Sequence, residues 1–323
     1  MSHLHRWLRG LLLPGLVLVA ALAPGVHAAD EKAPGNDLVL KGDAKCTRCH
    51  NEDSEYPVLS IGKTRHGTTA DPRNPTCDSC HGASEAHLVK PSAKEARVKP
   101  DRWFGRKTTT SAADQSATCL ACHKDGKRMH WQSSAHTTHD VSCTGCHKVH
   151  TSHDPVRDKL TQAETCFACH KEQRAQVNRP SHHPIIEGKV TCSDCHNAHG
   201  SAGPALMVRD SVNNTCYTCH MDKRGPFVRN HQPVQENCSI CHDPHGTTSP
   251  ALMKVRAPFI CQQCHEPLQH EGIYPGNVNA TGAGLAAGLN RMMAVGRNCM
   301  VCHTAIHGSN SPANTAGQSG FRR

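Results

Sequence analysis

Cys192-Ser193-Asp194-Cys195-His196-Asn197-Ala198-His199-Gly200 is the stretch on which the fold turns. Its first five residues read Cys-x-x-Cys-His, a spacing that lets two thiols bond to the vinyl groups of one c-type haem while the next imidazole reaches the iron. A second histidine follows three residues after the first. It cannot round the porphyrin edge to reach the opposite face of the same iron, so it is expected to serve a neighbouring haem.

Working outward, the motif recurs ten times and consumes all 20 cysteines. The copies are Cys46, Cys49 and His50; Cys77, Cys80 and His81; Cys119, Cys122 and His123; Cys143, Cys146 and His147; Cys166, Cys169 and His170; Cys192, Cys195 and His196; Cys216, Cys219 and His220; Cys238, Cys241 and His242; Cys261, Cys264 and His265; Cys299, Cys302 and His303. A zinc ribbon would pair such dyads without needing a histidine after each, and a thioredoxin-like redox site would occur once. The expectation is therefore ten covalently attached c-type haems, each holding one iron, with the cysteines binding the cofactor and the motif histidines the metal.

Composition says what kind of fold this must be. Aromatic residues make up 3% of the chain and hydrophobic residues 37%, while 25 glycines and 20 prolines leave little room for long helices or an ordinary side-chain core. Porphyrins would supply the missing apolar area, and their thioether bonds would restrict the unfolded chain. A multihaem cytochrome c follows: mostly coil with short α-helices, little or no β-structure, and an elongated haem-cored single domain.

Histidine is in surplus. Of the 27 in the chain, His3, His5 and His27 fall in residues 1–28, read below as a secretory signal, and ten belong to the motifs, leaving 14. Methionine is scarcer, at eight. Bis-histidine ligation is thus expected throughout. Taken in twos, the motifs form a repeating unit with one histidine shortly before the even motif and one shortly after it. The former are His66, His136, His183 and His231; the latter are His87, His150, His199 and His245. The fifth unit departs from the pattern, with His270 after His265 and His307 after the last motif. His130, His139, His153 and His182 are left over, and His182 beside His183, or His139 near His136, offers an alternative ligand.

Residues 1–28 read as a secretory signal, with Arg6 and Arg9 ahead of an apolar run from Leu11 to Ala23 and a small-residue cleavage site at Val26-His27-Ala28. Residues 29–45 read as a flexible leader, 46–307 as the decahaem domain of five two-haem units, and 308–323 as a disordered tail. The formal charge is +9. Two propionates per haem, about twenty in all, would turn that balance negative, so the basic sequence does not point to nucleic acid. At a repeat of roughly 10 Å ten haems in line would exceed the roughly 40–45 Å of a bilayer with its headgroups.

The chain resembles the periplasmic decahaem c-type cytochromes of outer-membrane porin-cytochrome conduits, the MtrA type. Beyond the ten-motif layout, the likeness is carried by the opening stretch, Asn214-Thr215-Cys216-Tyr217-Thr218-Cys219-His220, Lys223-Arg224-Gly225-Pro226, Arg256-Ala257-Pro258, Cys261-Gln262-Gln263-Cys264-His265 and Ile306-His307-Gly308-Ser309-Asn310. The resemblance implies an electron-transfer protein and not an enzyme. It implies a haem wire in the periplasm, associated with the outer membrane and inserted in a β-barrel porin. It would link periplasmic or inner-membrane cytochromes to an extracellular multihaem cytochrome, or to external donors or acceptors such as iron. A soluble periplasmic carrier or store is the alternative; a multihaem reductase would need an open iron position, against which the histidine surplus argues.

Overall fold

The computed structural model describes residues 43–54, 56–68, 71–92, 95–265, 298–301 and 303–311. The chain divides between Asp37 and Leu38, and every described residue belongs to the second part. The proposed signal, the residues before Asp43, the segment 266–297 with His270, Cys302 and the tail beyond Ser311 lie outside the described residues.

The α-helices are short: α1 Ala44–Thr47, α2 Cys77–His81, α3 Glu85–Leu88, α4 Ala112–Leu120, α5 Ala135–Thr138, α6 Gln162–Phe167, α7 Lys171–Val177, α8 Cys192–Cys195, α9 Val212–Cys216 and α10 Gln232–Glu236. Single 3-10 turns such as Cys143–Gly145 and Cys238–Ile240 alternate with them. Among the described residues there is no sheet, only isolated bridges such as Ser181 with Thr247 and Arg229 with Ser309. Mostly coil with short helices is what the glycine and proline content requires.

Local chemistry explains where these turns form. Two even-numbered motifs begin immediately after a capping side chain: Thr76 accepts from Ser79 N in a reciprocal capping box, and Asn237 accepts from Ser239 N at 2.8 Å. At Thr191 the backbone N–H donates to the Asp194 carboxylate at 2.8 Å. Odd-numbered motifs instead sit at the end of a helix, as Cys119 does in α4 and Cys216 in α9, each capped upstream by Ser111 or Ser211. Within a motif the histidine N–H returns to the first cysteine carbonyl, at 2.9 Å for His147 to Cys143 and for His196 to Cys192. That closes one helical turn and brings residues i, i+3 and i+4, the two cysteines and the histidine, to one side of the chain.

The protein's own apolar core is very small. Ala163, Phe167, Val177 and Ile185 form one cluster with Val190 against it, and Trp131 is buried separately. More of the fully covered residues are polar, including Gln115, Ser134, Asn213 and Thr247. Side-chain burial of this extent cannot offset the ordering of a chain this long.

Candidate haem-binding site

The described histidines come together in twos. Ring centroids lie 6.0 Å apart for His50 and His87, 6.1 Å for His81 and His150, 5.9 Å for His66 and His123, and 6.0 Å for His147 and His199. The series continues with His136 and His170 at 6.1 Å, His196 and His245 at 6.0 Å, His183 and His220 at 6.2 Å, His242 and His307 at 6.1 Å, and His231 and His265 at 6.1 Å. Imidazoles on opposite sides of one metal ion, each nitrogen about 2.0–2.1 Å from it, have centroids roughly 6 Å apart. The spacing therefore fits one iron between each pair. Among the described residues no group of three or more His, Cys, Asp or Glu side chains converges as a metal cage. Donors in twos suit a macrocycle that supplies the equatorial ligands.

Each pair joins one motif histidine to one from outside the motifs, and almost all cross between two-haem units. His150, three residues after His147, lies against His81 of the unit before; His199 and His245 likewise reach back to His147 and His196. The odd-numbered motifs are served from the preceding unit, as His136 serves His170. Among the described pairs only His50 meets a histidine of its own unit, His87. The tight Cys-x-x-Cys-His-x-x-His spacing thus leads to the motif two places back.

The two local ambiguities take definite geometry. His183 faces His220, while His182 Nδ1 donates to the Arg179 carbonyl and its Nε2 lies 3.3 Å from Glu187. His136 faces His170, while His139 Nδ1 turns 2.7 Å onto the Ala135 carbonyl. His153 lies 3.6 Å from Asp158. His303 is described, but His270, the remaining distal histidine expected from sequence, is outside the described residues.

Cysteines of consecutive motifs also meet. Within units the first thiols touch: Cys46 with Cys77, Cys119 with Cys143, Cys166 with Cys192, Cys216 with Cys238, and Cys261 with Cys299. Between units the second thiols approach, as Cys80 does Cys122 and Cys146 does Cys169. In the free thiol form the hydrogen bond from Cys119 holds Cys143 down to about 6, and that from Cys166 holds Cys192 down to about 7, the partner being raised each time. A thioether sulfur no longer titrates, so what these contacts carry over to the haem-bound chain is the closeness of the sulfurs and not the shifts. Burial lowers His66, His81, His199, His245 and His307, favouring the neutral imidazole that a metal requires.

Two sets of supporting residues escaped the sequence reading. One holds the Nδ1 atoms: His81 donates to the Arg102 carbonyl at 2.9 Å, His196 to Ala205 at 2.8 Å and His242 to Ala251 at 2.9 Å. Ala205 and Ala251 stand at φ +50° and +55°, left-handed backbone that turns the carbonyl onto the ring. The recurring Pro-Ala-Leu at 204–206 and 250–252 is the signal that could have revealed them. The other set ties the two motifs of a unit together. Asp43 accepts from Cys77 N at 2.8 Å, Gln162 from Ser193 N at 3.0 Å and Asn213 from Cys238 N at 2.7 Å, while Gln115 accepts from Ser142 Oγ and Thr144 Oγ1. Each lies three or four residues before an odd-numbered motif. Buried without a hydrogen-bond partner, Arg128 Nε is suited to an anionic group such as a propionate.

The family described as "Doubled CXXCH motif" matches residues 182–225 and 231–270, and "Cytochrome c-type protein NrfB-like" matches 77–160. "Multiheme cytochrome MtrA" of Shewanella baltica (strain OS185) is 39% identical over 330 residues, covering 94% of this chain and 96% of that protein. The chain belongs to the MtrA-type multihaem c-type cytochromes. As a member it binds c-type haem covalently and transfers electrons, and is not an enzyme. Among the described residues of this MtrA-type chain no helix is long and apolar enough to cross a membrane.

Proposed function

We propose that the chain carries ten haems in the order of their motifs and acts as an electron wire through an outer-membrane β-barrel porin. The observation that carries this reading is the unbroken succession of paired imidazoles, with the thiols of each motif against those of the next. Each pair would hold one iron: His50 with His87, His81 with His150, His123 with His66, His147 with His199, His170 with His136, His196 with His245, His220 with His183, His242 with His307, His265 with His231, and His303 with His270. The iron, when bound, supplies one-electron exchange between ferric and ferrous states.

The chain's own residues do the rest. By supplying two imidazoles for each iron, they would leave it no open position for a substrate. Ligands exchanged between units hold neighbouring rings at fixed separation. Residues 1–28 are removed on export, and the mature chain works in the periplasm, linking periplasmic or inner-membrane cytochromes to an extracellular multihaem cytochrome or to iron outside.

Proteoliposomes test the reading. The chain inserted with its co-purified barrel should let external dithionite bleach an enclosed oxidised haem protein, and the barrel alone should not. Equal bleaching with and without the chain would overturn the conduit, and activity of the chain only in free solution would favour a soluble carrier.

A further inference from the structure

The even-numbered motif histidines differ in what holds the ring nitrogen that faces away from the iron. His81, His196 and His242 give their Nδ1 proton to backbone carbonyls of Arg102, Ala205 and Ala251. His147 gives its proton to a carboxylate, Asp154 Oδ2, at 2.7 Å. The same carboxylate is anchored through its other oxygen, which accepts from Lys148 N at 3.1 Å. Asp154 therefore bridges its loop back to the motif in a single orientation. Its side chain is only 16% exposed, so water weakens the contact little.

A carboxylate draws the Nδ1 proton more strongly than a peptide carbonyl does, because the acceptor is charged. Electron density moves onto the ring, and the opposite nitrogen becomes a better donor to a metal. A stronger donor stabilises the ferric state over the ferrous, since the ferric ion carries the greater charge. The ligand across the metal, His199, lies 5° from parallel with His147 and has no such acid on its Nδ1.

We propose that Asp154 is a positioning residue that gives the haem held by His147 and His199 a lower potential than those held by His81, His196 and His242. This rests on the ligation proposed above. The step it tunes is the gain of one electron by ferric iron from an adjacent ferrous haem, with no bond made or broken and the proton staying between His147 and Asp154. Among those four haems the fourth position then becomes the last to fill when the wire is reduced and the first to empty, a step in the path rather than a level stretch.

Spectroelectrochemical titration of the intact holoprotein tests this, with Asp154→Asn, which keeps an acceptor oxygen and loses the charge. One haem in ten should move to higher potential, the rest should stay, and Asp154→Glu should recover part of the shift. Superimposable titrations with all haems low-spin would overturn the inference. A measurement on the unaltered protein covers the case in which the variants lose haem: the low-spin signal of the His147 and His199 pair should be reduced after those of His196 with His245 and His242 with His307, and joint reduction of the three would equally overturn it. Failure of the ligation reading is recognisable separately, as a high-spin ferric signal already present before any substitution.

Discussion

The imidazoles of His147 and His199 lie 6.0 Å apart and within 5° of parallel, although they belong to different two-haem units. Such a pair ties the folding of one unit to the metal of another. Replacing His199 with Ala should leave one iron five-coordinate and loosen the third unit from the second. The ferric holoprotein should then show a high-spin component equal to about one haem in ten, with the unfolding transition broadened; an unchanged low-spin spectrum would refute the assignment.

Ring orientation separates the pairs into classes. His66 with His123 and His136 with His170 cross at 82° and 86°, whereas His50 with His87, His196 with His245 and His242 with His307 lie at 16°, 17° and 18°. Parallel imidazoles act on the same iron d orbital and split the upper levels, while crossed ones act on two and leave them nearly degenerate. Ferric electron paramagnetic resonance should resolve a strongly anisotropic low-spin family beside a rhombic one. A single homogeneous family would contradict these orientations.

Gln115 is 3% exposed and uses its whole amide, donating to Gly105 and Thr110 carbonyls at 3.0 and 2.9 Å and accepting from Ser142 and Thr144. Gln115→Ala would leave several buried groups unpaired, at about 1–3 kcal/mol for each that finds no water. Denaturant unfolding followed through haem circular dichroism should show the second unit destabilised by at least about 2 kcal/mol on that scale. No change in midpoint would mean that Gln115 does not join its two motifs.

The glycine that follows a distal histidine is under a strict requirement. At Gly246 φ is +147°, and a Cβ would stand 2.1 Å from the Gln176 carbonyl oxygen. Gly126, at φ +62° with nothing within 4 Å of its Cβ position, provides the comparison. Gly246→Ala should cost well over the roughly 1 kcal/mol expected for backbone preference alone at Gly126→Ala, and it should reduce occupancy of the His196 and His245 pair. Equal stability of the two variants, measured by thermal unfolding, would count against the close approach.

With so little apolar packing around Ala163, Phe167, Val177 and Ile185, the polypeptide without haem should not hold this fold. Expressed in the absence of haem attachment, it should show a far-ultraviolet circular dichroism spectrum of largely unordered chain and rapid proteolysis throughout. A protease-resistant apoprotein would show that the polypeptide core suffices.

The ten motifs and the short helical turns around them were readable in the sequence, because each depends on residues no more than four apart. The nine non-motif histidines found opposite motif histidines were also readable as candidates, since the repeat places them near the even motifs. Asp154 and Gln115 were not. One is an ordinary acidic loop residue until the chain folds back on His147, and the other an ordinary helix residue until Ser142 and Thr144 arrive beside it.

What this chain settled on its own was its chemistry and its local turns: cysteine pairs spaced for thioethers, histidine for iron, serine and threonine for helix starts. Only the tertiary structure decided that His150 faces His81 and not a nearer ring, that His183 and not His182 turns toward His220, and that the two rings of a pair lie parallel or crossed. The physical reason is range. A motif is satisfied by bonds within one helical turn, whereas the choice of partner and its angle depends on how separate units pack and on which distant oxygen accepts the Nδ1 proton.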